Sequence, residues 1–410
     1  MAGQEAVITG IGVVAPNGIG KENFWQGLEE GRSAIGKISS FDAGKFSVNA
    51  AAEVRSLGEE TILGGKGLRN LDRSALMLLV AAKLAIADAG LEINDGNTDR
   101  VGVSCGTTFP HLWSILEFNK EVFKEGLDFA SPAFFPSTVI NAASSHVSIR
   151  FNIQGFNATT STGYTSGLTA IKYALDALKT EKAEIILAGG VEVLTNFLFF
   201  GFQKLGYMAG LKGEAVSCPF DKRRNGPILG EGAVIFCLEG EASARKRKAM
   251  IFARVKSAVN FFDASKMGRI HPEGIGLETA IKDSLEQARV GPDDIDYISA
   301  CANSSLDMDK IEAKALKKVF GKSLDRIPAS SIKSMLGETI SASSVLQAAS
   351  CVGAMRRGVI PPTVNYKTKD PECDIDCVPN KAQKKDVNLA LVTSFGPGGY
   401  NAASVLERYN

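Results

Sequence analysis

Two rhythms of apolar residues alternate along the chain. Short continuous runs such as AVITGIGVV (6–14), RVGVSCG (100–106), AEIILAGG (183–190) and VNLALVTSF (387–395) read as strands buried on both faces. Between them lie ALMLLVAAKLAIADAGL (75–91), LTAIKYALDALK (168–179), LETAIKDSLEQARV (277–290) and SSVLQAASCVGAMRRG (343–358). Their apolar positions recur at steps of three and four, the helical period. Strands alternating with helices predict an α/β protein built in layers.

The rhythm also echoes itself. The first helix leads through NDGNTD into the strand RVGVSCGTT, which ends in small polar residues. The helix at 277–290 leads through GPDD into IDYISACANSS, so Cys105 and Cys301 occupy matching places. A second pair follows, with helix 168–179 before AEIILAGG and helix 343–358 before VNLALVTSFGPGG. The pattern predicts a duplicated α/β unit, residues 1–250 and 251–410, with both halves lining one cleft. The Pro-rich, charged stretch 359–386 is expected on the surface. IILAGGVEVLTNFLFFGF (185–202) is interrupted by Glu192 and is expected to be a buried strand followed by a loop, not a membrane span.

GIGVVA at 10–15 matches a dinucleotide-binding glycine pattern, but Pro16 stands where that motif needs a continuing helix. Glu29 and Glu30 fall in a helix instead of ending a second strand. A tight turn packed on neighbouring backbone is the better reading.

Composition narrows the classes. The chain has 410 residues, 45% hydrophobic, with 46 basic and 45 acidic residues for a net charge of +1. That balance offers no electrostatic footprint for nucleic acid or an anionic membrane. Seven scattered cysteines argue against a disulfide framework and for a reducing compartment. No cleavable leader pattern opens the chain, so a cytoplasmic protein is expected. Cys373 and Cys377 have no further soft ligands nearby in sequence, so no metal is expected, and nothing calls for a cofactor.

One stretch concentrates the chemistry. GFNATTSTGYTSG (155–167) puts Tyr164 in a run of small residues directly before helix 168–179. A strand entering a tight turn and then a helix presents a side chain at the helix start. A thiol there would be acidified by the helix dipole. A phenol, with a pKa of about 10, stays protonated.

The whole chain resembles the β-ketoacyl carrier-protein synthases, condensing enzymes with the thiolase fold. The likeness is carried by VITGIGVVAPNGIG, SPAFFPSTVINAASSHVSIRF, AEIILAGGVE, CPFDKRRNGPILGEGA, IEAKALKKVFG, SSIKSMLGE, IPPTVNY and SFGPGGYN, in the family's order. The resemblance implies a thiolase-like, layered α-β-α-β-α fold. It implies a cysteine at the elbow and two histidines that drive condensation of a malonyl unit. Residue by residue, the cysteine's place holds Tyr164, the first histidine's place Cys301 and the second's Glu338. The supporting positions remain: Lys333, Asp309, Glu312, Glu192 and Phe395. Pro397 stands in the gating turn, which proline stiffens. His111, His146 and His271 lie elsewhere and read as structural or surface residues.

A degenerate member of this family resembles the chain-length factor of type II polyketide systems. The resemblance implies a heterodimer with a Cys-bearing ketosynthase, and work on an acyl carrier protein in polyketide or polyene synthesis. Candidate tunnel residues are Phe134, Phe135, Phe199, Phe202 and Phe395. Two alternatives stand beside this reading. One is a divergent acyltransferase or condensing enzyme using Cys301 with Glu338. The other is a homodimeric acyl-binding protein.

Overall fold

The computed structural model describes residues 5–68, 71–129, 132–264 and 268–409. Ten strands form its main sheet path. They are β1 (Ala6–Ala15), β2 (Val101–Gly106), β3 (Asn157–Thr160), β4 (Ile185–Glu192) and β5 (Gly232–Gly240) in the first half. The second half holds β6 (Ala253–Phe262), β7 (Tyr297–Ser299), β8 (Ala329–Ser330), β9 (Leu389–Phe395) and β10 (Tyr400–Arg408). Their spatial order is β8-β7-β9-β10-β6-β1-β5-β4-β2-β3.

Each half therefore sets its strands in the order third, second, fourth, fifth, first. In each half the third, second and fourth are parallel, and the fifth and first run antiparallel to their neighbours. β1 pairs with β6 through Ala6, Val7 and Ile8, which joins the halves.

Eight helices matter to the site: α1 (Arg73–Asp88), α2 (Leu112–Glu125), α3 (Ala142–Phe151), α4 (Ser166–Lys179), α5 (Asn196–Leu205), α6 (Ile275–Ala288), α7 (Leu306–Phe320) and α8 (Ser343–Arg357). α4 and α8 pack on each other in the middle layer, inside one apolar core with β1, β5, β6 and β9. α1 covers the outer face of the first half. α6 and α7 cover that of the second. The result is the layered α-β-α-β-α arrangement.

Close approach explains two of the glycines. A Cβ on Gly12 would sit 1.8 Å from the Ala81 carbonyl oxygen, and one on Gly10 2.3 Å from that of Ala85. The glycine pattern at 10–15 thus lets α1 lie on β1. It is strand throughout, not the expected turn. A second expectation also fails. The loop foreseen after β4 is the helix α5, opened by Thr195, whose side chain accepts from the Leu198 N–H, and closed by Gly206 in the left-handed region. Part of the stretch 359–386 is also buried. Ile360 to Val364 run through the interior, where the Thr363 hydroxyl accepts from the Ser331 N–H and Val364 donates to Ser334.

Candidate functional site

The elbow forms as its composition suggests. β3 ends at Thr160, Gly163 adopts φ +65°, and one tight turn, Gly163–Thr165, delivers Tyr164 to the start of α4. No atom lies within 4 Å of a Cβ built on Gly163, so the backbone angle alone calls for glycine there. Hydroxyls and a carboxylate brace the turn from below. Ser166 donates to the Gly163 carbonyl, and Ser341 donates to Glu192 at 2.7 Å. Thr108 and Ser341 share a bond of 2.5 Å.

Tyr164 points inward. Its ring presses on the turn after β9, where a Cβ on Gly396 would lie 2.4 Å from the ring. Ser394 donates to the Tyr164 carbonyl at 2.9 Å. Burial first, then the Glu338 carboxylate and Cys301, raise the phenol well above its usual value. The phenol is therefore neutral, not an anion.

The second of the three positions singled out in the sequence, Cys301, follows β7 and is fully buried. Its thiol donates toward the Phe395 carbonyl at 3.5 Å. Burial pushes this thiol up to about 12, with Lys333 pulling the other way and Glu312 and Glu338 adding to the rise. The third, Glu338, is saturated. One carboxylate oxygen accepts from Lys333 and from Asn303, each at 2.8 Å. The other accepts from the Ile340 N–H at 2.9 Å and the Ser343 hydroxyl at 2.6 Å.

Lys333 is the hub. Its ammonium bonds Glu338, donates to the Cys301 carbonyl at 2.8 Å, lies 3.4 Å from the Cys301 sulfur and sits 5.7 Å from the Tyr164 ring centroid. Burial works against this cation, but Cys301 and Glu338 hold it above the usual lysine range. The structure therefore brings Tyr164, Cys301, Glu338 and Lys333 into one buried cluster.

The remaining supports fix backbone. Glu312 accepts from the N–H groups of Cys301 at 2.8 Å and Ala302 at 2.7 Å, and from the Thr393 hydroxyl. Asp309 accepts from the N–H groups of Asn303 and Phe220. Glu192 accepts from those of Thr108 and Phe109. Burial raises all three carboxyls: Asp309 to about 6, Glu312 and Glu192 to about 7.

The aromatic candidates divide. Phe199 and Phe395 are fully buried in the cluster that also holds Tyr164 and Cys301, and Phe202 packs against it. Phe199 meets the rings of Phe41 and Phe46 at 5.7 and 5.3 Å, two residues that sequence reasoning did not single out. Phe135 lies outside, 60% exposed. The Phe134 side chain lies outside the described residues. Cys373 and Cys377 are buried in a small apolar cluster with Phe220.

Comparison with known proteins agrees with this architecture. The model of the β-ketoacyl synthase N-terminal domain matches residues 4–244, and that of the C-terminal domain residues 252–367. The chain is 36% identical to 3-oxoacyl-[acyl-carrier-protein] synthase 2 of Coxiella burnetii, covering 100% of this chain and 99% of the relative. It is also 36% identical to putative polyketide beta-ketoacyl synthase 1 of Streptomyces halstedii, with 98% of each covered. Among solved structures, the ishigamide ketosynthase/chain length factor superposes with a TM-score of 0.94 at 30% identity over 100% of both chains. A type II PKS acyl-carrier protein in complex with its ketosynthase gives 0.91 at 28%, again with 100% of both chains covered. The fold is thus the thiolase-like fold of the ketosynthase condensing enzymes. The chain belongs to the β-ketoacyl synthase family.

Proposed function

We propose that this chain is a non-catalytic ketosynthase-like subunit, a chain-length factor. It pairs with a Cys-bearing ketosynthase and shapes that partner's acyl tunnel while a polyketide or polyene grows on an acyl carrier protein. One observation carries the reading. The three positions where the family resemblance places a cysteine and two histidines hold a neutral buried phenol, a protonated buried thiol and a carboxylate with every oxygen occupied. No imidazole lies among them to move a proton or to polarise a malonyl carbonyl. The same buried thiol speaks against condensation through Cys301 with Glu338 as base, since the carboxylate is spent on Lys333.

Surface features support a partner of the same fold. β3 ends the sheet path, so its outer edge offers unpaired backbone groups. The segment before α3, a helix that contacts β3, carries large apolar side chains in solvent, Phe135 among them. A ketosynthase/chain length factor and a ketosynthase with its carrier protein are among the similar structures. Among the described residues no helix is long and apolar enough to cross a membrane. We place the protein in the cytoplasm.

The test is acyl transfer. The purified chain, offered octanoyl- and malonyl-carrier protein, should gain no acyl mass and release no CO2. An octanoyl adduct mapping to Cys301 or Tyr164 would refute the reading.

A further inference from the structure

Residues 112–129 and 132–141 form an arm. α2 buries only Ser114, and no other described residue from 112 to 141 is buried. Phe123 is 88% exposed, and Leu127 and Phe129 are 80% exposed. α2 packs chiefly on the turns that follow it and on α5. Phe118 and Phe135, with ring centroids 5.9 Å apart, tie the two limbs of the arm together. A fourteen-residue helix with a single buried residue gains little from packing, so a polar anchor at its root bears on its direction.

The root is a buried dyad. His111 opens α2, and its carbonyl accepts from the Ile115 N–H at 2.9 Å. Its Nδ1 bonds Asp72. The other Asp72 oxygen caps α1, accepting from the Ala75 N–H at 2.9 Å and the Ser74 hydroxyl at 2.7 Å. One carboxylate thus anchors the starts of two helices. Nε2 of His111 is buried without a partner, so the bond to Asp72 is the one polar tie of this ring among the described residues.

We propose that His111 is the positioning residue of this arm. Through Asp72 it fixes the angle at which α2 leaves the body, and so presents the arm's apolar face to a second chain of the same fold. α3 follows the arm and packs on β2 and β3, so the arm lies at the end of the sheet that β3 closes. The identity of the occupant rests on the proposed heterodimer; the role of the dyad does not.

Replacement by shape separates the two. His111→Asn keeps an N–H donor at the reach of Nδ1. His111→Gln moves it to the reach of Nε2, and His111→Leu removes it. Trypsin cleavage after the exposed Lys120 and Lys124 reads the docking of the arm in the subunit alone. The Gln and Leu variants should be cut roughly tenfold faster there, with the rest of the digest unchanged, and the Asn variant should match wild type. Equal cleavage of Gln and wild type, or an Asn variant no better than Leu, would overturn the positioning role. If the variants fail to fold, hydrogen exchange of the unaltered protein decides. Protection should be highest at the Ile115 amide and fall toward Glu125, and a flat profile overturns the proposal. Sedimentation of the chain with a family ketosynthase reads the occupant. The Gln and Leu variants should associate at least about tenfold more weakly than wild type. A wild-type chain that stays monomeric alone and in the mixture would contradict the occupant and the heterodimer reading together.

Discussion

Lys333 and Glu338 form the buried ion pair at the centre of the site. A buried ammonium needs a partner, and here Glu338 supplies it. Returning the family's residue, Glu338→His, should therefore not restore catalysis. It leaves the Lys333 cation uncompensated and should cost about 3–5 kcal/mol in urea unfolding. The double change Lys333→Met, Glu338→Leu should cost clearly less; equal losses would show the pair is not coupled. Tyr164 and Gly396 make a second pair. Gly396→Ala drives a methyl into the ring and should cost about 1–3 kcal/mol, most of it recovered in a Tyr164→Ala background. Additive losses would place the ring elsewhere. Sequence motifs of a few contiguous residues singled out Tyr164, Cys301 and Glu338, which the structure brings together around Lys333. Sequence could not show the bond from Lys333 to Cys301, 32 positions apart. Nor could it show the meeting of Asp72 with His111.

At the scale of elements, three carboxyls lock the site's loops onto the frame. Asp309 and Glu312 on α7 hold the chain after β7, and Glu192 at the end of β4 holds the root of the arm. Burial raises their folded values to about 6 and 7, against reference values of 3.8 for aspartate and 4.5 for glutamate. Each binds its proton more tightly when folded. Its contribution to stability is thus fully present below the unfolded value and is lost as pH rises through the folded one. Urea midpoints should fall between pH 4.5 and 7.5, and Glu312→Gln should flatten that slope. A slope unchanged by the substitution would contradict the assignment. Periodicity made most elements legible, β1, α1, α4 and α8 above all. It failed at α5, where TNFLFFGF is apolar nearly all round and fits a buried strand or loop as well as a helix. The Thr195 cap and Gly206 stop were the signals that could have found it.

The molecule as a whole repeats one five-strand plan twice, and the site lies where the halves meet. The first half supplies Tyr164 and Glu192; the second supplies Cys301, Lys333, Glu338 and Phe395. The sequence echo around Cys105 and Cys301 foreshadowed this repeat, since Cys105 lies near the end of β2 and Cys301 just past the end of β7, each the second strand of its half. The arm did not announce itself. Its apolar residues look like core residues in sequence, and only the three-dimensional packing leaves them in solvent. The proposed chain-length-factor role asks for a whole frame around a centre without acyl chemistry and for an apolar surface that meets a second chain. Native mass spectrometry of the protein drawn from its own cells, with peptide mapping of acyl groups, tests this most directly. The account predicts a one-to-one complex with a second β-ketoacyl synthase family chain, with every acyl group on an elbow cysteine of that partner. A homodimer carrying acyl groups on this chain would contradict it.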